Sequence, residues 1–285
     1  MRVLITGAGG QVGRELAELC EARGDEVVGC DHATLDVADR DAVLGTVLSN
    51  APDAVVHCAA WTAVDACESD TDKALAINAI GTRNIAEATR RAGAHVVYVS
   101  TDYVFDGTKA TPYDEWDVPN PQSSYGRSKW AGEQELLGHP SATTVRISWV
   151  CGRYGGNMVK TLLRLAGDGI DPAFVTDQIG HLTIVEDLVP VLRDMAVGRR
   201  PGLFHVTNTG VVSWFDVAQA VFELAGHDPA RVSAITSDQL DPPRPAPRPA
   251  NSVLDNAALR LAGLPSLPDG RESLARLVAQ LSEQS

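Results

Sequence analysis

The feature that most constrains this chain is a glycine-rich turn between a short apolar run and a helical pattern. Residues 2–6 have the β-branched and apolar character of a buried strand, and an amphipathic helical pattern reaches about residue 23. Three glycines at this junction are typical of a dinucleotide-binding turn, in which they permit a tight bend, close approach to a pyrophosphate and close helix packing. The helix N-terminus adds free amides that attract phosphate. The predicted cofactor contacts in this turn are Gly7, Gly10, Gln11, Val12 and Gly13.

Strands and helices alternate over the first 150 residues. The predicted strands cover residues 2–6, 26–30, 54–58, 96–100 and 143–148. The predicted helices after the first cover residues 39–49, with Asp39 as N-cap, and residues 70–91 and 125–137. Such alternation builds βαβ units. We therefore predict an α/β fold with a doubly wound parallel sheet of the Rossmann type.

Beyond residue 150 the alternation loosens. We predict a strand over residues 203–207 and helices over 157–166, 185–197, 213–225, with Ser213 as cap, and 271–281. Residues 241–249 hold five of the sixteen prolines and cannot form a regular helix. The predicted organisation is a dinucleotide-binding domain at residues 1–150 and a smaller α/β substrate-binding domain at 151–285, partly interleaved with the first.

Residues just after two of the predicted strands indicate how the cofactor binds and which cofactor is preferred. Asp31 follows strand 26–30, where a carboxylate accepts hydrogen bonds from both ribose hydroxyls and repels a 2′-phosphate. This position favours NADH over NADPH. Asp36 and Val37 come next, in a position to line the adenine. Ala59 and Ala60 follow strand 54–58 and are small enough to let the cofactor lie close to the strand end.

A tyrosine and a lysine four residues apart open the predicted helix over 125–137. Positions i and i+4 share a helix face, so the Tyr125 phenol and the Lys129 ammonium can point into one site. A nearby cation lowers the pKa of a phenol from its reference value of about 10, which would make Tyr125 a proton donor and acceptor. Thr101 comes at the end of strand 96–100, at the edge where ligands bind in parallel sheets. We therefore expect three residues to be catalytic: Thr101, Tyr125 and Lys129.

Charge and composition exclude several other classes of protein. A net charge of −13, from 24 Lys and Arg against 37 Asp and Glu, provides no basic field for nucleic acid. No apolar run approaches the ~20 residues of a membrane span, and no signal peptide is evident. We therefore expect a cytoplasmic protein, a monomer or homodimer, that makes no membrane contact. The five cysteines have no Cys-x-x-Cys spacing and are predicted to be reduced thiols.

Several longer motifs are far more specific than the glycine turn. They are Gly10-Gln11-Val12-Gly13, Ala59-Ala60-Trp61-Thr62-Ala63-Val64-Asp65, Ser100-Thr101-Asp102-Tyr103-Val104-Phe105-Asp106-Gly107, Ser148-Trp149-Val150, Asp177-Gln178-Ile179-Gly180 and Arg248-Pro249-Ala250-Asn251-Ser252-Val253-Leu254. Together with Asn78, Tyr125 and Lys129, these motifs occur in order along both halves. On them the whole chain resembles the dTDP-4-dehydrorhamnose reductase family of the extended short-chain dehydrogenase/reductases.

The resemblance implies that the chain reduces the C4 ketone of dTDP-4-dehydro-L-rhamnose to dTDP-L-rhamnose with NADH or NADPH. Tyr125 would deliver the proton, Thr101 would hydrogen-bond the carbonyl oxygen, and Lys129 would bind the nicotinamide ribose and lower the phenol pKa. Tyr103 occupies a place where related dehydratases have Glu, which favours plain reduction. Arg248 or Arg244 would neutralise the substrate pyrophosphate. The substrate contacts implied are Thr62, which also lies at the cofactor, and Val64, Asp102, Tyr103, Trp149 and Arg248.

Departures from the family pattern leave alternatives open. His181-Leu182-Thr183 lacks the Pro that usually precedes this Thr, and Cys151 stands where a Tyr often follows Ser-Trp-Val. Another dTDP-4-keto-6-deoxyhexose from a secondary-metabolite pathway is therefore an alternative substrate. A non-catalytic NAD(P)-binding regulatory subunit, or an epimerase or dehydratase that recycles its cofactor, are further alternatives. Glu15 and Glu186 coincide with positions that some relatives use for Mg²⁺ at a dimer interface, but no metal ligand is predicted here.

Overall fold

The computed structural model describes residues 1–283, and its first half alternates strands with helices as predicted. Its elements are β1 (Arg2–Thr6), α1 (Gln11–Ala22), β2 (Glu26–Cys30), α2 (Arg40–Asn50), β3 (Ala54–His57), α3 (Val64–Ser69), α4 (Thr71–Leu75), a π-helical turn (Ala76–Ile80), α5 (Gly81–Ala92), β4 (His95–Thr101), a 3₁₀ turn (Asp102–Val104), α6 (Ser124–Glu135) and β5 (Ala142–Ile147).

The second half consists of longer helices and short strands. Its elements are β6 (Val150–Cys151), α7 (Met158–Gly167), β7 (Ala173–Val175), β8 (Ile179–Gly180), β9 (Thr183–Ile184), α8 (Val185–Gly198), β10 (Gly202–His205), β11 (Val212–Ser213), α9 (Trp214–Leu224), β12 (Ser233–Ile235), β13 (Asn251–Ser252), α10 (Ala257–Leu261) and α11 (Gly270–Ser282), with 3₁₀ turns at Pro229–Arg231 and Ser237–Gln239. As predicted, no regular helix forms over residues 241–249.

The main sheet has six parallel strands in the order β2-β1-β3-β4-β5-β10. This confirms the predicted α/β fold with a doubly wound parallel sheet. The strand order reverses between β1 and β3, so the connections leaving these strands turn to opposite sides. A crevice at the carboxyl ends of such strands is where ligands bind in open α/β sheets.

Apolar residues on the two faces of the sheet form separate cores. One core combines Ile5 and Val56 of the sheet with α1 and α8, and the other combines Leu4 and Val55 with α2 and α5. Adjacent strand residues face opposite sides. Helices therefore bury both faces of β1 and β3, and this explains their continuous apolar sequences.

The second half packs around a core of its own but also contributes to the main sheet. Its core joins α7, α9 and α11, and its short strands pair as β11-β8-β13, β12-β7 and β6-β9. The chain returns to the main sheet through α8 and β10, which pairs with β5. The division at residue 150 stays a prediction. It ran to residue 285, and residues 284 and 285 lie outside those described.

The predicted helix over residues 70–91 is interrupted by the π-helical turn. Asn78 in this turn is buried, and its side chain bonds the backbone N–H and C=O of Trp61 and the hydroxyl of Ser128. A π turn adds a residue to one helical turn and often occurs at functional sites. The apolar periodicity of this segment did not indicate the π-helical turn, because the turn depends on partners 17 and 50 residues away.

Two further features bear on the predictions from composition. All five cysteines are free thiols, as predicted. Within residues 1–283, no helix is both long and apolar enough to span a bilayer.

Candidate active site

A cleft of about 1290 Å³ opens at the carboxyl ends of β1, β3 and β4, with walls from both halves of the chain. The residues predicted to act on cofactor or substrate, apart from Arg244, line it. They are Gly7, Gly10, Gln11, Val12, Gly13, Asp31, Asp36, Val37, Ala59, Ala60, Thr62, Val64, Thr101, Asp102, Tyr103, Tyr125, Lys129, Trp149 and Arg248. Arg244 is exposed and is not part of this lining.

The glycine turn lines the cleft, and its backbone can form only with glycine at two positions. Gly7 has a φ of 67°, a left-handed conformation that favours glycine, and a Cβ there would lie 2.8 Å from the Ala59 nitrogen. A Cβ on Gly13 would collide with the Gly7 carbonyl oxygen. No side chain caps α1 at Gly10, so the amides of its first turn are available to an anion. These residues fit the pyrophosphate of a dinucleotide.

Asp31 lies next to this turn with its carboxylate already fixed. Oδ1 accepts hydrogen bonds from the Ala33 and Thr34 amides and the Thr34 hydroxyl, each 3.0 Å long. These hydrogen bonds, led by the one from the Thr34 hydroxyl, hold the pKa of Asp31 below its ordinary value. The group is therefore ionised at neutral pH and suited to accept hydrogen bonds from a ribose.

Tyr125 lies in the first turn of α6, because Ser123 caps this helix by accepting a hydrogen bond from the Gly126 amide at 3.0 Å. The phenol is buried against Tyr103, with ring centroids 5.5 Å apart in an edge-to-face arrangement. Burial raises the pKa of Tyr125 above its ordinary value, and a hydrogen bond with Thr101 opposes this only in part. In the protein without ligands burial therefore dominates this pKa, and the effect expected of Lys129 on the phenol stays a prediction.

Thr101 ends β4 and joins Tyr125 to an acidic neighbour. Its hydroxyl donates a hydrogen bond to Oδ1 of Asp102 at 2.9 Å and accepts one from the Tyr103 amide at 3.2 Å. The other carboxylate oxygen of Asp102 is buried and makes no hydrogen bond of standard geometry within residues 1–283, although the nearby Ser252 hydroxyl lowers the pKa of Asp102 against the effect of burial. Burial raises the pKa of Asp102 to about 6. A buried oxygen without a partner on the cleft wall is suited to a hydroxyl of a ligand.

Lys129 lies one helical turn after Tyr125 and is almost fully buried. Its ammonium donates a hydrogen bond to the Val99 carbonyl oxygen at 2.8 Å. Burial lowers the pKa of Lys129 to about 7, although Glu133 acts in the opposite direction. Of its three N–H groups, those that do not contact Val99 remain for a ligand in the cleft.

Trp149, just after β5, forms an aromatic wall of the cleft together with Trp214 from the second half of the chain. It has a φ of 44°, which is uncommon for a bulky residue, and its ring stacks on that of Trp214 with centroids 4.0 Å apart. A Cβ on Gly180 would come within 2.8 Å of the Trp149 ring. Strained backbone of this kind concentrates at functional sites. The paired rings offer an apolar surface to a ligand.

Arg248 reaches the cleft but is paired with a carboxylate from the first half. Its two terminal nitrogens donate to Asp65 at 2.6 and 2.7 Å, and the Ala246 amide also donates to Asp65 at 3.1 Å. Hydrogen bonding with Arg248 lowers the pKa of Asp65 to about 2. This ion pair fastens the proline-rich segment to the start of α3 at the edge of the cleft.

Sequence reasoning did not identify every residue that lines the cleft. The missed polar and aromatic residues include His32, Trp61, Lys73, Gln178, Trp214 and Ser252. Three of these, Trp61, Gln178 and Ser252, lie inside the long motifs, which could have indicated them. Nothing in the sequence marks Trp214, because its role depends on stacking with a residue 65 positions earlier.

The two glutamates considered for Mg²⁺ lie away from the cleft lining. Glu15 is buried, accepts a hydrogen bond from the Arg153 amide at 2.8 Å, and has a pKa raised by burial. Glu186 lies near Gln280 and Arg276. Within the part of the chain that the structure describes, no cluster of three or more His, Cys, Asp or Glu side chains could hold a metal ion.

Comparison with known proteins places this geometry in a family. The family model described as RmlD substrate binding domain matches residues 1–283. A dTDP-4-dehydrorhamnose reductase of Mycolicibacterium smegmatis is 44% identical over 98% of this chain and 85% of the relative. A probable dTDP-4,6-dihydroxy-2-methyloxan-3-one 4-ketoreductase of Streptomyces antibioticus is 43% identical over 96% of this chain and 93% of the relative. A dTDP-4-dehydrorhamnose reductase of Bacillus anthracis, solved in complex with NADP, has a TM-score of 0.94 and 38% identity over 98% of this chain and 99% of that chain.

Proposed function

The chain belongs to the RmlD substrate binding domain family, and we propose that it reduces the C4 ketone of dTDP-4-dehydro-L-rhamnose to dTDP-L-rhamnose. It is an NAD(P)-dependent oxidoreductase of deoxysugar biosynthesis. The observation that carries the proposal is that Thr101, Tyr125 and Lys129 line the same cleft as the glycine turn and the Trp149 wall. A bound reduced nicotinamide would supply the hydride for C4.

Tyr125 is the proton donor for the oxygen at C4. Because burial raises the pKa of its phenol, Tyr125 is protonated at neutral pH, the state that an acid needs at the start of a reduction. Thr101 orients the carbonyl oxygen toward the phenol by turning its one hydroxyl proton from Asp102 Oδ1 to that oxygen. When the phenol has given up its proton, the Lys129 ammonium stabilises the phenolate from the next turn of the helix. Its other N–H groups bind the nicotinamide ribose.

The sugar lies between the two halves of the chain. Thr62 and Val64 follow β3, and Asp102 and Tyr103 follow β4, so these four residues contact the sugar from the first half. The unpaired oxygen of Asp102 accepts a hydrogen bond from a sugar hydroxyl. Trp149, supported by Trp214, covers the apolar C6 methyl. Arg248 lies at the pyrophosphate, and its guanidinium is held there by the ion pair with Asp65.

The cofactor preference rests on the ribose end of the cleft. Gly7, Gly10, Gln11, Val12 and Gly13 hold the pyrophosphate; Asp36 and Val37 line the adenine; Ala59, Ala60 and Thr62 lie along the nicotinamide half. Asp31 is ionised and favours NADH, whereas the B. anthracis relative was solved with NADP. Comparing kcat/KM for NADH and NADPH tests this preference. A higher value for NADPH would contradict it.

A second candidate substrate is another dTDP-4-keto-6-deoxyhexose. The observation that favours it is the S. antibioticus relative, whose name gives a different sugar at nearly the same identity as the M. smegmatis reductase. Cys151 and His181, which are close in sequence to the cleft residues Val150 and Gln178, differ from the usual family pattern. Side-by-side assays with both sugar classes would separate the two candidates.

The remaining alternatives make opposite predictions about cofactor consumption. A reductase consumes one reduced nicotinamide per sugar, whereas an epimerase or dehydratase retains its cofactor and a regulatory subunit consumes none. The decisive assay follows nicotinamide absorbance with several dTDP-4-keto-6-deoxysugars made in situ. Loss of absorbance supports the reductase, and no loss with any sugar would contradict it. A cytoplasmic location and a monomeric or homodimeric state remain predictions.

A further inference from the structure

The ammonium group of Lys129 is held by uncharged groups. Its nitrogen donates to the Val99 carbonyl oxygen at 2.8 Å and lies 4.0 Å from the centroid of the Tyr98 ring. Only 2% of the residue is exposed. An ammonium loses most of its hydration at such a depth, so its charged form depends on the few groups that replace water.

One charged group near Lys129 favours its ammonium form, and that group is shared with other partners. Glu133, one turn later on α6, raises the pKa of Lys129, but its carboxylate is held by Arg146 at 2.9 and 2.6 Å and by Ser100 at 2.5 Å. The Cys58 thiol at the end of β3 has a pKa raised by burial to about 12 and is therefore neutral.

The aromatic and imidazole neighbours are uncharged as well. His57 on β3 has a pKa lowered by burial to about 3, so it is neutral at pH 7. Tyr125 on α6 is protonated, because burial raises the pKa of its phenol. Besides the Val99 carbonyl and the more distant charge of Glu133, the face of the Tyr98 ring therefore directs a negative potential at the ammonium.

Tyr98 is fixed in this position by its own contacts. It is fully buried in β4 and stacks on His57 with ring centroids 5.5 Å apart. Its hydroxyl donates a hydrogen bond to the backbone oxygen of Lys129 at 3.2 Å. Gly132 leaves room for this hydroxyl, because a Cβ there would lie 2.5 Å from it. The ring thus cannot turn away from the ammonium without breaking several contacts.

We propose that the face of the Tyr98 ring stabilises the ammonium form of Lys129. It thereby sets the pH range in which Lys129 carries the charge needed to bind the nicotinamide ribose and to stabilise the Tyr125 phenolate. Tyr98 acts through Lys129 and is a positioning residue. This inference rests on the proposed function for the task that Lys129 performs. The cation–π contact itself can be measured without substrate or cofactor.

The test varies the electrons of the ring while keeping its shape. Tyr98 is replaced by phenylalanine and then by phenylalanines with one, two and three ring fluorines, which progressively weaken the negative face. The chain has only four lysines, Lys73, Lys109, Lys129 and Lys160, so ¹³C labelling of lysine side chains gives a simple spectrum. The Lys129→Met variant assigns the signal of interest.

A stepwise fall of the Lys129 titration midpoint with each fluorine is the expected result. The total fall should be roughly one pH unit, the size that a desolvated cation–π contact gives. The other three lysines serve as internal controls and should not shift. The Tyr98→Phe variant without fluorine should titrate close to the unchanged protein, since it keeps the ring face.

A midpoint that stays constant along the fluorine series would overturn the inference. Tyr98→Leu removes the ring altogether, and, if folded, should titrate at least as low as the trifluoro variant. If it does not fold, the shape-conserving series still decides. The proposed function is tested by a different result. An unmodified protein that reduces no sugar contradicts the reductase, whereas an active protein with a constant Lys129 midpoint along the fluorine series contradicts only the role of Tyr98.

Discussion

At the scale of single residues, the proposed acid is Tyr125, whose phenol is kept protonated by burial. A general acid contributes roughly 100- to 10,000-fold to a rate, so Tyr125→Phe should lower kcat by at least about 100-fold. Cofactor affinity should be unchanged, because the phenol acts on the substrate oxygen. Steady-state kinetics and fluorescence titration of the cofactor measure the two effects.

A matched control is available in Tyr154, whose hydroxyl donates a hydrogen bond to Glu18 outside the cleft lining. Tyr154→Phe removes the same atom and should leave turnover near normal. Normal turnover by Tyr125→Phe would remove the basis for its role as acid.

Asp102 is a cleft residue whose replacement by a neutral side chain should increase the stability of the protein. Burial raises its pKa to about 6 from its ordinary value of 3.8, so the folded state binds this proton more tightly than the unfolded state. Its contribution to stability is fully present below pH 3.8 and is lost as the pH rises through about 6. Asp102→Asn avoids that loss. At pH 8 its free energy of unfolding should exceed that of the unchanged protein by up to about 3 kcal/mol, with reduced activity.

Asp106 supplies a control with the opposite sign. Hydrogen bonds, led by that from the Thr108 amide, lower the pKa of Asp106. Its stabilising contribution is therefore present at neutral pH, and Asp106→Asn should lower stability there. Urea unfolding of both variants between pH 4 and 8 makes the comparison. A stability difference for Asp102→Asn that does not grow with pH would show that the buried carboxylate carries no such cost.

At the scale of elements, the π-helical turn connects two walls of the cleft. Asn78 binds both backbone groups of Trp61 and the Ser128 hydroxyl, and Ser128 in turn donates to the Tyr125 carbonyl at 2.8 Å. Asn78→Ala leaves buried polar groups unpaired. It should reduce the free energy of unfolding by about 1–3 kcal/mol and also raise KM for cofactor or substrate.

A buried threonine on the following helix separates these two effects. Thr89 on α5 hydrogen-bonds the Ile85 carbonyl and lies outside the cleft lining. Thr89→Val should change stability without changing KM. If Asn78→Ala behaves in the same way, the π turn has only a structural role. Chemical denaturation and steady-state kinetics on the same preparations provide both readings.

The elements that the sequence predicted well are those whose causes lie close along the chain. Strand β4 is a continuous apolar run, and Asp39 and Ser213 cap the helices that follow them. Two-residue strands such as β8 were missed, because β8 exists through pairing with β11 and β13, which lie more than 30 and 70 residues away. The periodicity of apolar residues within a short stretch of sequence cannot indicate pairing with such distant strands.

The same contrast between local and distant causes explains which parts of the candidate site were predicted. Tyr125 and Lys129 were recognised from their spacing, and Thr101 from its place after a strand, because parallel strands end at one edge of a sheet. The burial that raises the Tyr125 pKa was not predicted, since it depends on distant residues. For the same reason the pairing of Trp149 with Trp214 could not be read from the sequence.

At the scale of the whole molecule, the Asp65–Arg248 ion pair joins the two halves at the cleft. A charge-assisted, bidentate contact is stronger than an ordinary hydrogen bond and depends on the planar guanidinium. Arg248→Ala should therefore raise KM for the sugar nucleotide by roughly 10-fold or more, with a smaller effect on cofactor affinity. Initial rates at varied sugar nucleotide, with cofactor saturating, measure this change.

Arg244 is the natural control, because it lies in the same proline-rich segment but is exposed and outside the cleft lining. Arg244→Ala should leave KM near that of the unchanged protein. Equal effects of the two substitutions would mean that the segment acts only through its overall charge.

The central claim is that this cleft reduces C4 of a dTDP-4-dehydro-6-deoxysugar to the L-rhamnose configuration. The most direct measurement is incubation with dTDP-4-dehydro-β-L-rhamnose and reduced cofactor, followed by NMR determination of the configuration at C4. We predict dTDP-L-rhamnose, formed in step with cofactor oxidation and abolished by Tyr125→Phe. Formation of the C4 epimer alone, or no reduction with either cofactor, would contradict the account.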